Sequence, residues 1–192
     1  MRILTLDQST RTGWALGADD DLKAKFLFGS FRMPKRDDRG ERLVIFRDGL
    51  ESLIAQYKPD LAGYETPFFP VGNAPEKGKE EGRGRAAFNV DTIKFLHNLE
   101  GVLIETTARH GIPTESFASS SWRVTALGFG RLPPGSPDDF KALMKKRARQ
   151  LGYDVADDNE ADAIGVLLHM LYGPPAAQRK QGDLLAMVGG KL

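Results

Sequence analysis

Two acidic side chains stand where short apolar runs end. Asp7 closes the run "RILTLD" and Glu65 closes the run "DLAGYE", and both runs are β-prone. A carboxylate at the end of a strand is held rigidly, and hard oxygen ligands suit Mg²⁺. The two residue types and their positions therefore point to a shared metal site.

A second pair of acids lies near the end of the chain. Asp158 and Asp162 are four residues apart in "DDNEADAIGVLLHML", which has helical periodicity. This spacing places both carboxylates on one helix face, which we expect to lie against the first strand. The small Gly165, one turn further on, is expected to let the helix approach the sheet closely and bring Asp162 toward Asp7.

Each of these features also has a structural explanation. An aspartate after an apolar run is often a turn residue, and Asp157 with Glu160 is a plausible helix-capping pair. His169 is expected to be packed or exposed rather than a ligand. It is the combination of acids at the ends of two strands and on a helix that points to function.

Composition narrows the class of protein. The chain has 192 residues and is 41% hydrophobic, which suits one packed domain. Its 27 Lys and Arg residues nearly balance its 26 Asp and Glu residues, so attraction to nucleic acid must come from local patches. The absence of cysteine excludes disulfides, thiolate zinc sites and cysteine nucleophiles.

The same composition bears on location. The chain does not begin with the pattern of a signal peptide, and no window approaches the roughly twenty apolar residues of a membrane helix. We therefore expect a soluble protein of a reducing cytoplasm, with no membrane partner.

Periodicity and breakers place the elements that carry these acids. Three adjacent strands are expected in "RILTLD", "TGWALGA" and "KAKFLFGSFRM", followed by a helix over residues 39–57 and the strand "DLAGYE". A surface loop, "PVGNAPEKGKEEGRGRA", precedes a helix in "NVDTIKFLHNLEGVLIETTARHG" and a strand in "IPTESFA". "SSSW" predicts a serine-capped helix, and "SPDDFKALMKKRARQLG" predicts another with a serine cap and a first-turn proline. The last helix is expected to end before "GPP", and the tail beyond it shows no sustained periodicity.

Three of these segments carry a family resemblance. "ILTLDQSTRTGWAL", "AGYETPFF" and "DDNEADAIGVLLH" resemble, in order, the motifs of the RuvC family of Holliday-junction resolvases, across roughly residues 2–172. The resemblance implies an α/β, RNase H-like fold: a mixed five-stranded sheet flanked by helices. It implies a nuclease domain over residues 1–173 and a C-terminal tail over residues 174–192.

The resemblance also implies a ligand set. Asp7, Glu65 and Asp162 match the family's metal-binding acids, with Asp7 bridging two Mg²⁺ ions, for which Mn²⁺ can substitute. The family's fourth acid falls at Asn159, so either Asn159 coordinates through its amide oxygen or Asp158, one residue earlier, takes that role. "DQST" also departs from the usual proline and glycine after the first aspartate, which suits a divergent or bacteriophage-type member.

The implied activity is metal-dependent cleavage of branched DNA. A member of this family is expected to resolve four-way junctions by paired symmetric phosphodiester hydrolysis, as a homodimer to which residues 89–110 contribute. Two metal ions activate water and stabilise the leaving oxygen, so no protein nucleophile is needed.

Basic residues are the first candidates for DNA contacts. Lys141, Lys145 and Arg149 form a stripe on one predicted helix, and Arg83 and Arg85 lie in the glycine-rich loop. Such lysines often only solvate a helix face.

Aromatic residues near the predicted site are the second group of candidates for DNA contacts. Phe68 and Phe69 follow Glu65 closely, where an aromatic ring can stack on an unpaired base at a branch point, although one of them is as readily explained by core packing. Trp122 is expected to be buried and Arg123 to contact phosphate.

Two other functions fit part of the pattern. "LDQSTRTG" also resembles the first phosphate motif of sugar kinases of the actin-like superfamily, although a chain of 192 residues has room for only one of their two domains. A non-catalytic binder of branched DNA is the third hypothesis.

Overall fold

The computed structural model describes residues 1–19, 25–34, 38–67 and 90–189, with side chains to residue 182. Its elements, in chain order, are β1 (Arg2–Asp7), β2 (Arg11–Ala18), β3 (Leu27–Arg32), α1 (Arg39–Tyr57), β4 (Leu61–Glu65), α2 (Val90–Arg109), β5 (Thr114–Phe117), α3 (Ser119–Leu127), α4 (Phe140–Gln150), α5 (Asp158–Tyr172) and α6 (Pro174–Gly189). The strands and the first two helices lie where periodicity predicts them.

The strands form one mixed sheet in the order β3-β2-β1-β4-β5. The first three strands pair antiparallel, and β1, β4 and β5 pair parallel. The expectation of a mixed five-stranded sheet flanked by helices is confirmed.

Alternation along β1 divides the core between the two faces of the sheet. Ile3 packs with residues of α3, α4 and α5, whereas its neighbour Leu4 packs with residues of α1 and α2. Helix α5 lies between the sheet and the α3–α4 pair, and eleven of its fifteen residues are buried. Because it is covered on both sides, α5 is the element that connects the sheet to the outer helices.

Helix α5 rests on the sheet through a face other than the one we expected. Asn159, Ala163 and Leu167 face the sheet, and the hydroxyl of Thr5 donates to the Ala163 carbonyl at 2.8 Å. Gly165 faces outward instead: a Cβ there would lie 2.7 Å from the Trp122 ring. The expectation that Gly165 lets α5 approach the sheet is therefore wrong, because that side of the helix is covered by α3 and α4.

The start of α4 also differs from the prediction. Its N-cap is Asp139, whose Oδ1 accepts from the Ala142 amide at 2.8 Å. Ser136 instead donates to the backbone oxygen of Asp138 at 3.0 Å, so the predicted serine cap lies in the preceding turn. Two acids follow the proline, and the second of them, Asp139, is the N-cap in place of the serine.

The serines of "SSSW" do not cap α3. Its N-cap is Ala118, and no side chain accepts a hydrogen bond there. The capping pair at α5 is confirmed: Asp157 Oδ1 accepts from the Glu160 amide at 3.0 Å.

The segment after Gly173, which shows no sustained periodicity in the sequence, forms a helix in the structure. Pro174 opens α6, since a proline at the first helical position loses no hydrogen bond. Arg179 Nη1 donates to Glu115 at 3.0 Å, and Nη2 donates to the Met170 carbonyl. These contacts attach α6 to β5 and α5, while the domain boundary at residue 173 stays a prediction. Within the described ranges, no helix combines the length and apolar character needed to cross a membrane.

Candidate active site

The ends of β1 and β4 define one edge of the sheet. These strands are parallel neighbours, so their last residues, Asp7 and Glu65, point from the same edge. Gly13 on β2 pairs with Asp7, and a Cβ at Gly13 would overlap the backbone carbonyl of Asn159. The first turn of α5 therefore lies directly above the end of β1.

This placement brings four acids together, which we call the acid cluster: Asp7, Glu65, Asp158 and Asp162. All four side chains are partly buried. The pKa of Asp7 is raised well above its ordinary value, first by burial and then by the negative charges of the other three. Three elements separated in sequence thus converge on one negatively charged site.

Asp162 experiences the same environment from the helix side. Burial, followed by the charges of Glu65 and Asp158, raises its pKa to about 7. Arg123 and Lys141 oppose this shift without cancelling it. The cluster therefore repels its own ionised state, as expected of carboxylates gathered without a sufficient counter-charge.

Glu65 is held by hydrogen bonds to both its side chain and its backbone. Its Oε2 accepts a hydrogen bond from Trp122 Nε1 at 2.8 Å, and its backbone oxygen accepts one from Gln8 Nε2 at 2.7 Å. Burial raises the pKa of Glu65, while the Trp122 hydrogen bond and the Arg123 charge limit the rise. The end of β4 is thus fixed at both its backbone and its side chain.

The two candidates for the fourth ligand differ in their surroundings. Asp158 forms an ion pair with Lys141 at 2.5 Å, and this contact lowers the pKa of Asp158 although burial acts in the opposite direction. The negative charge of Asp158 raises the pKa of both Asp7 and Asp162. The Asn159 side chain lies instead 3.4 Å from the hydroxyl of Ser9.

Three of the predicted DNA-contact residues border the acid cluster. The Arg123 guanidinium stacks 4.9 Å from the Trp122 ring and 4.3 Å from the Phe140 ring. Lys141 interacts electrostatically with Asp158, Asp162 and Asp7, and Lys145 interacts electrostatically with Asp158. Arg149 is exposed on α4, and the remaining predicted contact residues, Phe68, Phe69, Arg83 and Arg85, lie outside the described residues, as does the glycine-rich loop.

The remaining single residues behave as expected from the sequence. Trp122 is fully buried, and His169 is buried with its Nδ1 2.7 Å from the Thr125 hydroxyl. Burial lowers the pKa of His169. Its contacts with the Thr125 hydroxyl and with the Phe117 ring, whose centroid is 4.9 Å away, agree with a structural histidine.

A supporting network beneath the cluster was missed from sequence. Buried Glu160 accepts from the Ser30 hydroxyl at 2.9 Å and from the Ala156 amide at 2.8 Å. Asp157 forms an ion pair with Arg11 at 2.6 Å. These contacts tie the first turn of α5 to β2 and β3. Gly13 was the one available signal, since an isolated glycine in a strand often marks close backbone approach.

The sheet order, with acids meeting at the ends of its central parallel strands and at the start of a helix, defines an RNase H-like protein. The RuvC structure from Thermus thermophilus superposes with a TM-score of 0.63 at 17% identity, over 92% of this chain and 97% of that one. The same protein in complex with a Holliday junction substrate gives a TM-score of 0.61 at 15% identity, over 90% and 94%.

Sequence comparison identifies the family. The crossover junction endodeoxyribonuclease RuvC of Paramagnetospirillum magneticum is 30% identical over 133 residues, 68% of this chain and 70% of that protein. The Ruegeria pomeroyi protein of the same name is 28% identical over 178 residues, 92% of this chain and 95% of that protein. No protein-family model matches the chain. The chain belongs to the RuvC family.

Proposed function

We propose that this protein is a metal-dependent, structure-specific endonuclease that resolves Holliday junctions or related branched DNA by paired symmetric phosphodiester hydrolysis. Family membership supports the activity. The observation that carries it to this chain is the convergence of Asp7, Glu65, Asp158 and Asp162 on one sheet edge. A structural protein gains nothing from carboxylates that destabilise one another in this way.

The donor set fits a divalent cation. Metal dependence follows from membership in the RuvC family, and we propose two Mg²⁺ ions, with Mn²⁺ as a substitute. Carboxylate oxygens are the ligands that both ions accept. The pKa values of Asp7 and Asp162 are raised first by burial and then by neighbouring negative charges, which a bound cation would offset. The described residues do not contain three acidic or histidine side chains already drawn together as a ligand set, so we expect side-chain rotation on binding.

Each residue then has a distinct part. Asp7, on the central strand, would contact both ions, while Glu65 and Asp162 would bind them from β4 and α5. When bound, such ions activate water and stabilise the leaving oxygen. Arg123 and Lys141, beside the acids, are suited to hold the phosphate oxygens of the strand to be cut.

For the fourth ligand we propose Asp158 in place of Asn159. The charge of Asp158 acts on both Asp7 and Asp162, whereas the Asn159 amide is directed to Ser9. Asp158→Asn should therefore weaken Mn²⁺ binding and cleavage more than Asn159→Ala does. The reverse order would assign the ligand to Asn159.

We further propose that the substrate is bound by a homodimer. Two symmetric incisions across a four-way junction are most simply made by two copies related by a two-fold axis. Residues 89–110, which include α2, are proposed to contribute to the interface. Its described part carries the exposed apolar side chain of Ile104, 43% exposed, which suits a contact between subunits.

A synthetic four-way junction tests the proposed function. With Mg²⁺, the wild-type protein should introduce paired nicks at symmetric positions, and Asp7→Asn should bind the junction without cutting it. Asp48→Asn, an exposed aspartate on α1, is the matched control and should cut normally. Nucleotide turnover without nicks would indicate a kinase, and a gel shift without nicks by the wild-type protein would indicate a binding protein.

A further inference from the structure

We propose that Trp122 is a positioning residue of the metal site: its indole N–H holds one carboxylate oxygen of Glu65 and leaves the other free for a divalent cation. The inference rests on the proposed function, since it assigns Glu65 as a ligand. It adds a residue that lies outside the three segments named above for the family resemblance.

The hydrogen bond itself is well defined. Trp122 is fully buried, and its Nε1 donates to Glu65 Oε2 at 2.8 Å. An indole N–H is a donor only, so at a buried position it requires an acceptor. A bond from a neutral donor to a carboxylate is stronger than one between neutral groups, and it fixes both the rotamer of Glu65 and the oxygen that remains available.

The indole cannot swing away from Glu65, because it is packed on several sides. A Cβ at Gly165 would lie 2.7 Å from Trp122 Cζ3 and 2.8 Å from Met144 Cε, so the glycine provides the space that the ring fills. The Arg123 guanidinium lies 4.9 Å from the ring centre. Helices α3, α4 and α5 together hold the ring in place, and through it they hold the carboxylate at the end of β4.

The hydrogen bond has a consequence for how Glu65 binds metal. With Oε2 occupied by the indole, the carboxylate presents Oε1 alone, in one orientation. Without the indole, Glu65 must be ordered at the moment of binding, and both of its oxygens compete for the ion. Removal of such a supporting partner typically weakens metal affinity by about 10- to 100-fold.

Trp122→Phe tests the role of the N–H group while retaining an aromatic ring. We expect Mn²⁺ affinity, measured from the electron paramagnetic resonance signal of the free ion, to fall by about tenfold or more. The metal-free circular dichroism spectrum should match that of the wild-type protein, which checks that the variant is folded. Trp14→Phe is the matched control: Trp14 packs against Tyr57 at 5.4 Å on the other face of the sheet, and its replacement should leave Mn²⁺ affinity unchanged.

A second measurement does not depend on how well Trp122→Phe folds. The chain has two tryptophans, so Trp14→Phe leaves a single indole ¹⁵N–¹H resonance, that of Trp122. This resonance should move with added Mg²⁺ along the same saturation curve as metal binding. Glu65→Gln should shift it before any metal is added, because the acceptor is then no longer charged.

The outcomes separate this inference from the proposed function. Wild-type Mn²⁺ affinity in Trp122→Phe, or an indole resonance that responds neither to Mg²⁺ nor to Glu65→Gln, would overturn the role of Trp122. If Glu65→Gln has meanwhile lost metal binding and cleavage, the proposed nuclease site stands. Normal metal binding and cleavage by Glu65→Gln would instead reject the site itself.

Discussion

The backbone carbonyl of Asn159 packs against Gly13, the residue of β2 that pairs with Asp7. A strand and a helix meet here with no side chain between them. The contact brings the acid-bearing first turns of α5 down onto the sheet edge where β1 ends. The geometry of the acid cluster therefore depends on a hydrogen atom at Gly13.

Gly13→Ala should destabilise the protein and reduce cleavage together. A methyl group there overlaps the Asn159 carbonyl, and overpacking of this kind costs about 1 to 3 kcal/mol. Urea denaturation and Mn²⁺ binding are the measurements. Gly182→Ala, in α6 with no atom within 4 Å of an added Cβ, is the control and should be neutral or stabilising by up to about 1 kcal/mol. Equal stability of the two variants would contradict the close approach.

Asp162→Asn should raise the melting temperature of the metal-free protein while abolishing cleavage. The amide retains the shape of the side chain but removes one of the negative charges that raise the pKa of Asp7. Mg²⁺ should stabilise the wild-type protein, because a ligand that binds only the folded state shifts unfolding by mass action. Differential scanning fluorimetry with and without Mg²⁺ measures both effects. A lower metal-free melting temperature for Asp162→Asn would be inconsistent with repulsion in the cluster.

Metal-free stability should fall as pH rises from about 4 to about 7. The pKa of Asp162 is raised to about 7 in the folded protein, against about 3.9 when unfolded. Between these values the folded state binds more protons than the unfolded state, so raising the pH favours unfolding. Ionisation of Asp162 lowers the free energy of unfolding by at most roughly 4 kcal/mol over this pH range.

Two comparisons isolate that pH effect. Asp162→Asn should show a shallower fall in unfolding free energy than the wild-type protein between about pH 4 and 7. Saturating Mg²⁺ should flatten the wild-type curve, since bound metal keeps the carboxylates ionised in the folded state. Identical slopes for wild type and variant would show that other groups govern the pH dependence.

Replacing Lys141 and Lys145 with alanine should weaken junction binding and reduce its dependence on salt. Each lysine that no longer neutralises a phosphate reduces the magnitude of the slope of log K against log[salt] by about 0.9. Fluorescence anisotropy at several salt concentrations, without metal, measures this slope. Lys146→Ala, an exposed lysine of the same helix that has no contact with the acid cluster in the described part of the chain, is the control. An unchanged slope in the double variant would show that the two lysines do not contact phosphates and serve only for solvation and ion pairing.

Ile104→Asp should convert the proposed dimer to a monomer. Ile104 is 43% exposed on α2, and a charge buried between two subunits would cost more than the contact provides. Light scattering at micromolar concentration gives the mass. A wild-type protein that stays monomeric with and without junction DNA would contradict the dimer, whereas a dimeric Ile104→Asp would place the interface elsewhere.

The sequence by itself determines much of the local structure of this protein. The end of β1 at Asp7 and the end of β4 at Glu65 follow from apolar runs stopped by turn residues, and the bounds of α1 follow from a regular apolar stripe. The Asp157 cap likewise depends on neighbours only three residues apart. These features were predictable because each depends on contacts within one or two turns of the chain.

Which face of α5 meets the sheet was decided only by tertiary packing. The helix is buried on both sides, so its apolar pattern does not distinguish the side of Ala163 from the side of Gly165. The pairing of Trp122 with Glu65 joins residues 57 positions apart, and that of Lys141 with Asp158 joins α4 to α5. Periodicity reports burial without naming the partner, and only the folded chain shows that α3 and α4 close over α5 and hold the carboxylates at the end of the sheet.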